Sequence, residues 1–250
     1  MRARTSDWLI QTGMLMLLLT AWEVLARYGV IDPFYLPPPS RVGGAFAQLF
    51  ISGEIWIHIA ATFGAAVLGL LIGSLLGMAL AVLAAASRVT LLLLEPFMTA
   101  LNAVPRIVLA PLLIIWFGIG IASKVALAVL LVAVLMFFAV FTAIAQVDHR
   151  LTDRVRTLGC GRRLLLSEVY IPSITMVVLS SLKVAVGFAF TGAIVGEFVA
   201  SSRGLGYLLN FAQSSFNAAL TLALVLLIMV FVLLLLGIAG RIERRLLRWR

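Results

Sequence analysis

Three side chains charged at physiological pH lie inside long apolar runs of this chain: Arg106, Lys183 and Glu197. A charge near the centre of a bilayer costs about 2.5–3.5 kcal/mol on insertion scales, so residues of this kind point to solute handling, ion pairing or gating rather than to lipid contact. Around Lys183, the residues Ser180, Lys183, Gly187 and Thr191 recur so that, at about 100° per residue, they form one narrow polar stripe on a helix. Gly192 and Gly196 fall on a different face, which is left for packing. Two readings of Lys183 stand side by side. It lines a pathway, or its ammonium snorkels towards the cytoplasmic start of its helix, roughly 14 Å away. Arg106 follows Pro105 in the kinked third run, where freed carbonyls and a fixed cation together would face a polar route, and Arg106 with Lys183 would favour an anion electrostatically. A salt bridge from these cations to Glu95 or Glu197 is the competing reading. Glu197 itself, at the end of its run, reads as a structural or gating partner rather than a cargo ligand.

Covalent and metal chemistry have little to work with. The single cysteine, Cys160, has no neighbouring base, and the two histidines, His58 and His149, are far apart. No G-x-x-x-x-G-K-S/T loop occurs, so the chain binds no nucleotide by that route, and no H-E-x-x-H or acid pair falls within an apolar run. An intramembrane enzyme is therefore disfavoured, and no cofactor is expected in this chain. The net charge of +9 raises the question of nucleic acid, but the basic residues gather at the ends of apolar runs, where they serve topology.

With 63% hydrophobic residues, a mean hydropathy of +1.17 and 12% charged residues, the chain is predicted to be an all-α membrane protein. Apolar runs long enough to cross about 30 Å of hydrocarbon give six candidate transmembrane helices. They are 9–26, 59–86, 91–117, 125–147, 174–199 and 218–239, and the third, with Pro96, Pro105 and Pro111, is expected to kink. Arg2 and Arg4 precede a first run without a small-residue cleavage site, which reads as a retained helix. With the N-terminus inside, the inner segments hold Arg2, Arg4, Arg88, Arg150, Arg154, Arg156, Arg162, Arg163, Arg241, Arg244, Arg245, Arg248 and Arg250, and the outer ones only Arg27, Arg41, Lys124 and Arg203. Both termini are thus expected in the cytoplasm. The outer stretch 42–50 reads either as an interfacial helix capped by Ser40 or as a covering loop. Gly69, Gly73 and Gly77, like Gly192 and Gly196, recur every four residues and allow close helix approach, within one subunit or between two. No internal repeat or linker divides the chain, so residues 1–250 form one domain.

The only long polar interruption between the hydrophobic halves is 148–172. Leu151–Leu158 can form a first helix, Gly159 and Gly161 a turn with positive φ, and Arg162–Ile171 a second helix, ended by Pro172 before the fifth span. Inside this loop Asp153 is followed by Arg154 and Val155, then three residues, Gly159, nine residues, and the group Val169, Ile171 and Pro172. That spacing resembles the cytoplasmic signature loop of binding-protein-dependent ABC importer permeases, EAA, three residues, G, nine residues, I, one residue, LP. LPPPSRV, APLLIIWFGIG, LKVAVGFAF, VGEF and RGLGY extend the likeness along most of the chain, and together they resemble the nitrate, sulfonate, taurine and bicarbonate type of permease.

The resemblance implies a type I importer permease fold with a coupling hairpin, in a multi-pass protein of the prokaryotic inner membrane. It implies a homodimer, two cytoplasmic ATPase subunits that bind the ATP and Mg, and an extracytoplasmic solute-binding protein, with lipid as surroundings and no nucleic acid. The cargo in this family is often a small anion. Asp153, Arg154, Val155, Arg156, Gly159, Cys160 and Gly161 would meet the ATPase, while Arg106, Ser180, Lys183, Gly187 and Thr191 would line the path. The loop departs from the family pattern: Asp153 stands for Glu, Arg154 and Val155 for two alanines, and Met176 for a frequent second proline. An autonomous channel or secondary transporter is the alternative, told apart by whether uptake needs ATP and a binding protein.

Overall fold

The computed structural model describes residues 2–147, 157 and 161–246. Within them every regular element is helical. In chain order these are α1 (Arg2–Arg27), α2 (Pro39–Ile51), α3 (Ile55–Ala86), α4 (Arg88–Ala103), a 3₁₀ turn (Arg106–Leu109), α5 (Ala110–Phe117) and α6 (Ile121–Ala145). After the loop come a helical turn (Arg162–Leu165), a π-wound turn (Leu166–Tyr170), α7 (Ile171–Val199), α8 (Leu205–Ser214) and α9 (Ala218–Leu246). Among the described residues α3, α6, α7 and α9 are each long and apolar enough to cross a bilayer, and α4 with α5 would make a fifth span. The first predicted run, 9–26, falls within α1, which is exposed all round over residues 14–18.

The frame is α3 and α7 packed on α6. Bilayers give apolar helices no hydrophobic reason to associate, so contact depends on close van der Waals fit, and glycine permits the closest approach. A side chain at Gly69 would collide with Ala128, and one at Gly77 with Ala133 and Met136. At Gly73 a Cβ would lie 2.8 Å from that of Val132, and at Gly192 one would lie 2.6 Å from the Ala128 backbone. Both glycine rows therefore serve packing within the subunit. Around them Ala65, Ala66, Val132, Met136, Phe137, Ala185, Ala189 and Ala193 form one buried apolar core.

The kinked third span breaks at one proline only. Pro96 is carried inside α4 and Pro111 opens α5, where its missing N–H costs nothing. At Val104–Pro105 the chain leaves the helix, and the two halves meet at 95°.

Two local expectations are corrected. Stretch 42–50 is helical, within α2, but Ser40 does not cap it: Pro38 is the N-cap and makes no side-chain bond. The carboxylate of Glu23 on α1 accepts from the Ser40 N–H (2.9 Å) and hydroxyl (2.8 Å) instead, and also binds Arg27 (2.5 Å). Nor does Pro172 end a separate helix. The chain winds on through the π turn into α7, because widening the turn before a proline makes room for its ring and for the carbonyl it cannot satisfy.

Replacing Gly73 by Val should lower the thermal midpoint of the purified protein by an amount matching about 1–3 kcal/mol of overpacking. Gly64→Val, at a position with nothing within 4 Å, should leave it unchanged in the same melt.

Candidate functional site

α7 carries the polar stripe on the face turned to α9. Ser180, Lys183, Gly187 and Thr191 line a single cavity of about 720 Å³, closed opposite by Ile228, Val232, Leu236 and Glu243. The space is open at Gly187, where a Cβ would meet nothing within 4 Å. Thr191 donates to the Gly187 carbonyl at 2.9 Å, so its hydroxyl is satisfied within the helix. Lys183 is not a bare cation. Glu243 near the end of α9 stands 3.9 Å from its ammonium and accepts from the Ser180 hydroxyl at 3.0 Å. The salt-bridge partner expected at Glu95 or Glu197 is, for Lys183, Glu243.

The remaining predicted residues fall differently. Arg106 opens the 3₁₀ turn after the break, with its backbone described and its side chain outside the described residues. Asp153, Arg154, Val155, Arg156, Gly159 and Cys160 also lie outside them. Gly161 is exposed and accepts from the Leu164 and Leu165 amides, without the positive φ predicted for it. Both ends of the loop are brought together, because Val147 packs against Leu165 and Val169.

A second polar cluster, only partly foreseen, surrounds Glu197. This residue is 1% exposed at the end of α7. Its Oε2 accepts from the Thr62 hydroxyl at 2.7 Å and from the Gly206 N–H at 3.0 Å. The Thr62 oxygen accepts in turn from the Leu205 N–H at 2.8 Å, and His58 Nδ1 accepts from the Gly204 N–H at 3.0 Å. Three successive amides at the start of α8, which no helix can satisfy from within, are thus taken by side chains of α3 and α7. Of these amides only that of Gly206 bonds the buried carboxyl, whose Oε1 has no hydrogen-bond partner among the described residues. On the opposite side Lys124, 7% exposed, donates to the Ser201 hydroxyl and to the Arg203 carbonyl (3.3 Å). The His58 ring stacks on Tyr207, with centroids 5.8 Å apart.

The cluster explains the spacing in RGLGY. A side chain at Gly204 would run into the Glu197 carboxylate, and one at Gly206 into the Ile194 carbonyl. Gly204 also has φ +121°, open only to glycine at low cost. Two glycines flanking one leucine, seven residues after a glutamate in a span, were the available signal.

Residues 69–248 match the family of binding-protein-dependent transport system inner membrane components. The chain belongs to that family. Among its relatives, the riboflavin transport system permease protein RibX of Chloroflexus aurantiacus is 34% identical over 94% of this chain and 88% of its own. The formylaminopyrimidine transport permease protein ThiX of Halalkalibacterium halodurans is 30% identical, covering 94% and 93%. The taurine transport system permease protein TauC of Escherichia coli is 28% identical, covering 96% and 89%. A solved amino acid ABC transporter superposes with a TM-score of 0.67 at 18% identity, over 80% of this chain and 97% of that one. The inward-facing MetNI methionine transporter gives 0.60 at 19%, over 80% and 97%.

The permease is therefore the translocation subunit of an ABC importer, a multi-pass inner membrane protein with the type I fold that works with an ATPase and a binding protein. It is a transport subunit and not an enzyme.

Thr62→Val preserves shape while it strips Glu197 of a donor and the Leu205 amide of its acceptor. Leaving such groups buried and unpaired costs about 1–3 kcal/mol each, so the variant should melt well below wild type. Thr191→Val, which loses a bond only to its own helix, should melt close to wild type.

Proposed function

We propose that two copies of this permease assemble with two cytoplasmic ATPase subunits, and that the α7 stripe lines the route of the solute. Both termini and loop 148–172 face the cytoplasm in this reading, as the distribution of arginines favours. Asp153, Arg154, Val155, Arg156, Gly159, Cys160 and Gly161 then form the surface that meets the ATPase, which alone binds ATP and Mg. Closure of the ATPases would pull on the loop. The packing of Val147 on Leu165 and Val169 supports a route for that pull, because it joins the loop base to both α6 and α7.

The observation that carries the path assignment is the gathering of Ser180, Lys183, Gly187 and Thr191 on one cavity. Hydroxyls and an ion pair on an open space at membrane depth are stable where water or a polar solute fills it. The cargo is a small organic solute brought by an extracytoplasmic binding protein, in keeping with the riboflavin, taurine and formylaminopyrimidine named for its relatives. Anion attraction by Lys183 loses force, since Glu243 stands beside it.

The test is solute uptake into proteoliposomes holding permease, ATPase and binding protein. Gly187→Trp should fit the open cavity, keep the complex assembled and reduce ATP-driven uptake to background; full uptake would remove the stripe from the path. Gly159→Pro should abolish ATPase recruitment or uncouple hydrolysis from import, and normal coupling in that variant would sink the role of the loop. Uptake without ATP would point to an autonomous channel or secondary transporter.

A further inference from the structure

Beside the Glu197 cluster, a cavity of about 410 Å³ opens at the start of α3. Glu54 and His58 border it from that end of α3, Ser202 and Arg203 from the turn ahead of α8, and Tyr207 from α8 itself. Glu54, Ser202 and Arg203 are exposed and His58 is half-buried, so water and its protons reach the imidazole.

The ring cannot carry a proton on both nitrogens and keep its place. A neutral imidazole has one donor and one acceptor, and Nδ1 is the acceptor here, taking the Gly204 N–H at 3.0 Å. The hydrogen therefore sits on Nε2. A proton added at Nδ1 would face the Gly204 N–H donor to donor, and that bond would be lost. Gly204 is the N-cap of α8, where no carbonyl of the helix can take over. The same residue presses on the buried carboxyl: a side chain there would collide with Glu197, which Thr62 and the Gly206 amide hold. A shift of Gly204 is thus felt where α3, α7 and α8 meet.

The charges around the ring leave the choice to the surrounding pH. Glu54 supplies an opposite charge and Arg203 a like one, so the two act against each other. Tyr207 stacks on the ring. Lys124 from α6 and Glu197 from α7 complete the set across the turn, Lys124 bonded to the Ser201 hydroxyl and the Arg203 carbonyl. α2 and α9 pack alongside Ile55 and Ile59 through Phe46, Leu49, Leu224 and Leu227, none of which titrates.

We propose that His58 is a proton-sensing site: when neutral it ties the turn ahead of α8 to α3, and when protonated it releases that turn, so that acid on this side of the membrane slows import. The proposal rests on the reading of the permease as the pathway subunit with α8 at the outer face, and adds a regulation to it.

Amide hydrogen exchange in the assembled complex tests it, with the rate at each pH divided by the intrinsic rate of the unfolded segment. Between about pH 7.5 and about pH 5.5, a window that ordinary histidine titration crosses, segment 203–208 should lose protection several-fold in the wild type. His58→Asn offers a carboxamide oxygen that accepts the same N–H and does not titrate, so protection should be equal at both pH values. Glu54→Gln removes the opposite charge, which should move the loss of protection to lower pH. Flat protection in the wild type, an equal loss in His58→Asn, or an unmoved midpoint in Glu54→Gln would each overturn the proposal. If His58→Asn does not assemble, the Glu54→Gln midpoint decides. ATP-driven uptake into proteoliposomes, acidified on the side of the binding protein alone, should fall several-fold in the wild type and stay level in His58→Asn. An equal fall in both would also overturn the proposal. No ATP-driven uptake at either pH would count against the pathway reading, while the exchange result still judges the proton site.

Discussion

The hydrocarbon core of a bilayer supplies no water, so every charge and every free amide at that depth must find its partner in the protein. Several polar groups of this permease meet that constraint in sets, while Glu197 Oε1, Ser74 Oγ and Trp22 Nε1 are buried without a hydrogen-bond partner among the described residues. Glu197 is held by Thr62 and the Gly206 amide, and the same cluster caps α8. Lys124 holds the other side of the same turn through Ser201 and the Arg203 carbonyl. Further along α7, Lys183 and Ser180 share Glu243. Each set joins segments distant in the chain, so pairing a polar group and fixing a junction are one event.

Glycine sets the distances that these sets need. Because Gly69, Gly73 and Gly77 bring α3 against α6, and Gly192 does the same for α7, the side chains of Thr62 and Glu197 arrive on the same turn before α8. The stripe lies on another face of α7, so one helix can be fixed by its glycines and still present a polar lane to an open space. The His58, Thr62 and Glu197 contacts also tie α8 to α3 and α7, which gives motion of either helix a direct connection to the turn between α7 and α8.

Local periodicity made much of this legible. Long apolar runs marked the helices, and offsets of three and four placed Ser180, Lys183, Gly187 and Thr191 on the cavity they line. Partners far along the chain left no such mark. Glu243 binds Ser180 across 63 residues, and Glu23 reaches Ser40 across 17. A capping serine and a capping carboxylate brought from another helix look alike in a sequence, because both leave a polar residue at the start of an apolar run. The π turn before Pro172 was hidden for a related reason: a proline signals a lost hydrogen bond, but only the backbone shows whether the helix breaks or widens. Family resemblance, rather than periodicity, suggested that loop 148–172 meets the ATPase.

Ser180, Lys183 and Thr191 have partners in the protein, so whether the cavity they line also holds water is the point on which the proposed path turns. Cysteines introduced singly at Gly187, Thr191 and the exposed α9 residue Val225, in a Cys160→Ser background, allow a direct measurement with a charged, membrane-impermeant thiol reagent applied to both faces of the assembled complex in native membranes. Rapid modification at Gly187→Cys and Thr191→Cys, with little at Val225→Cys, is the predicted result. Modification of the stripe no faster than that of Val225→Cys would contradict the assignment of this face as the solute path.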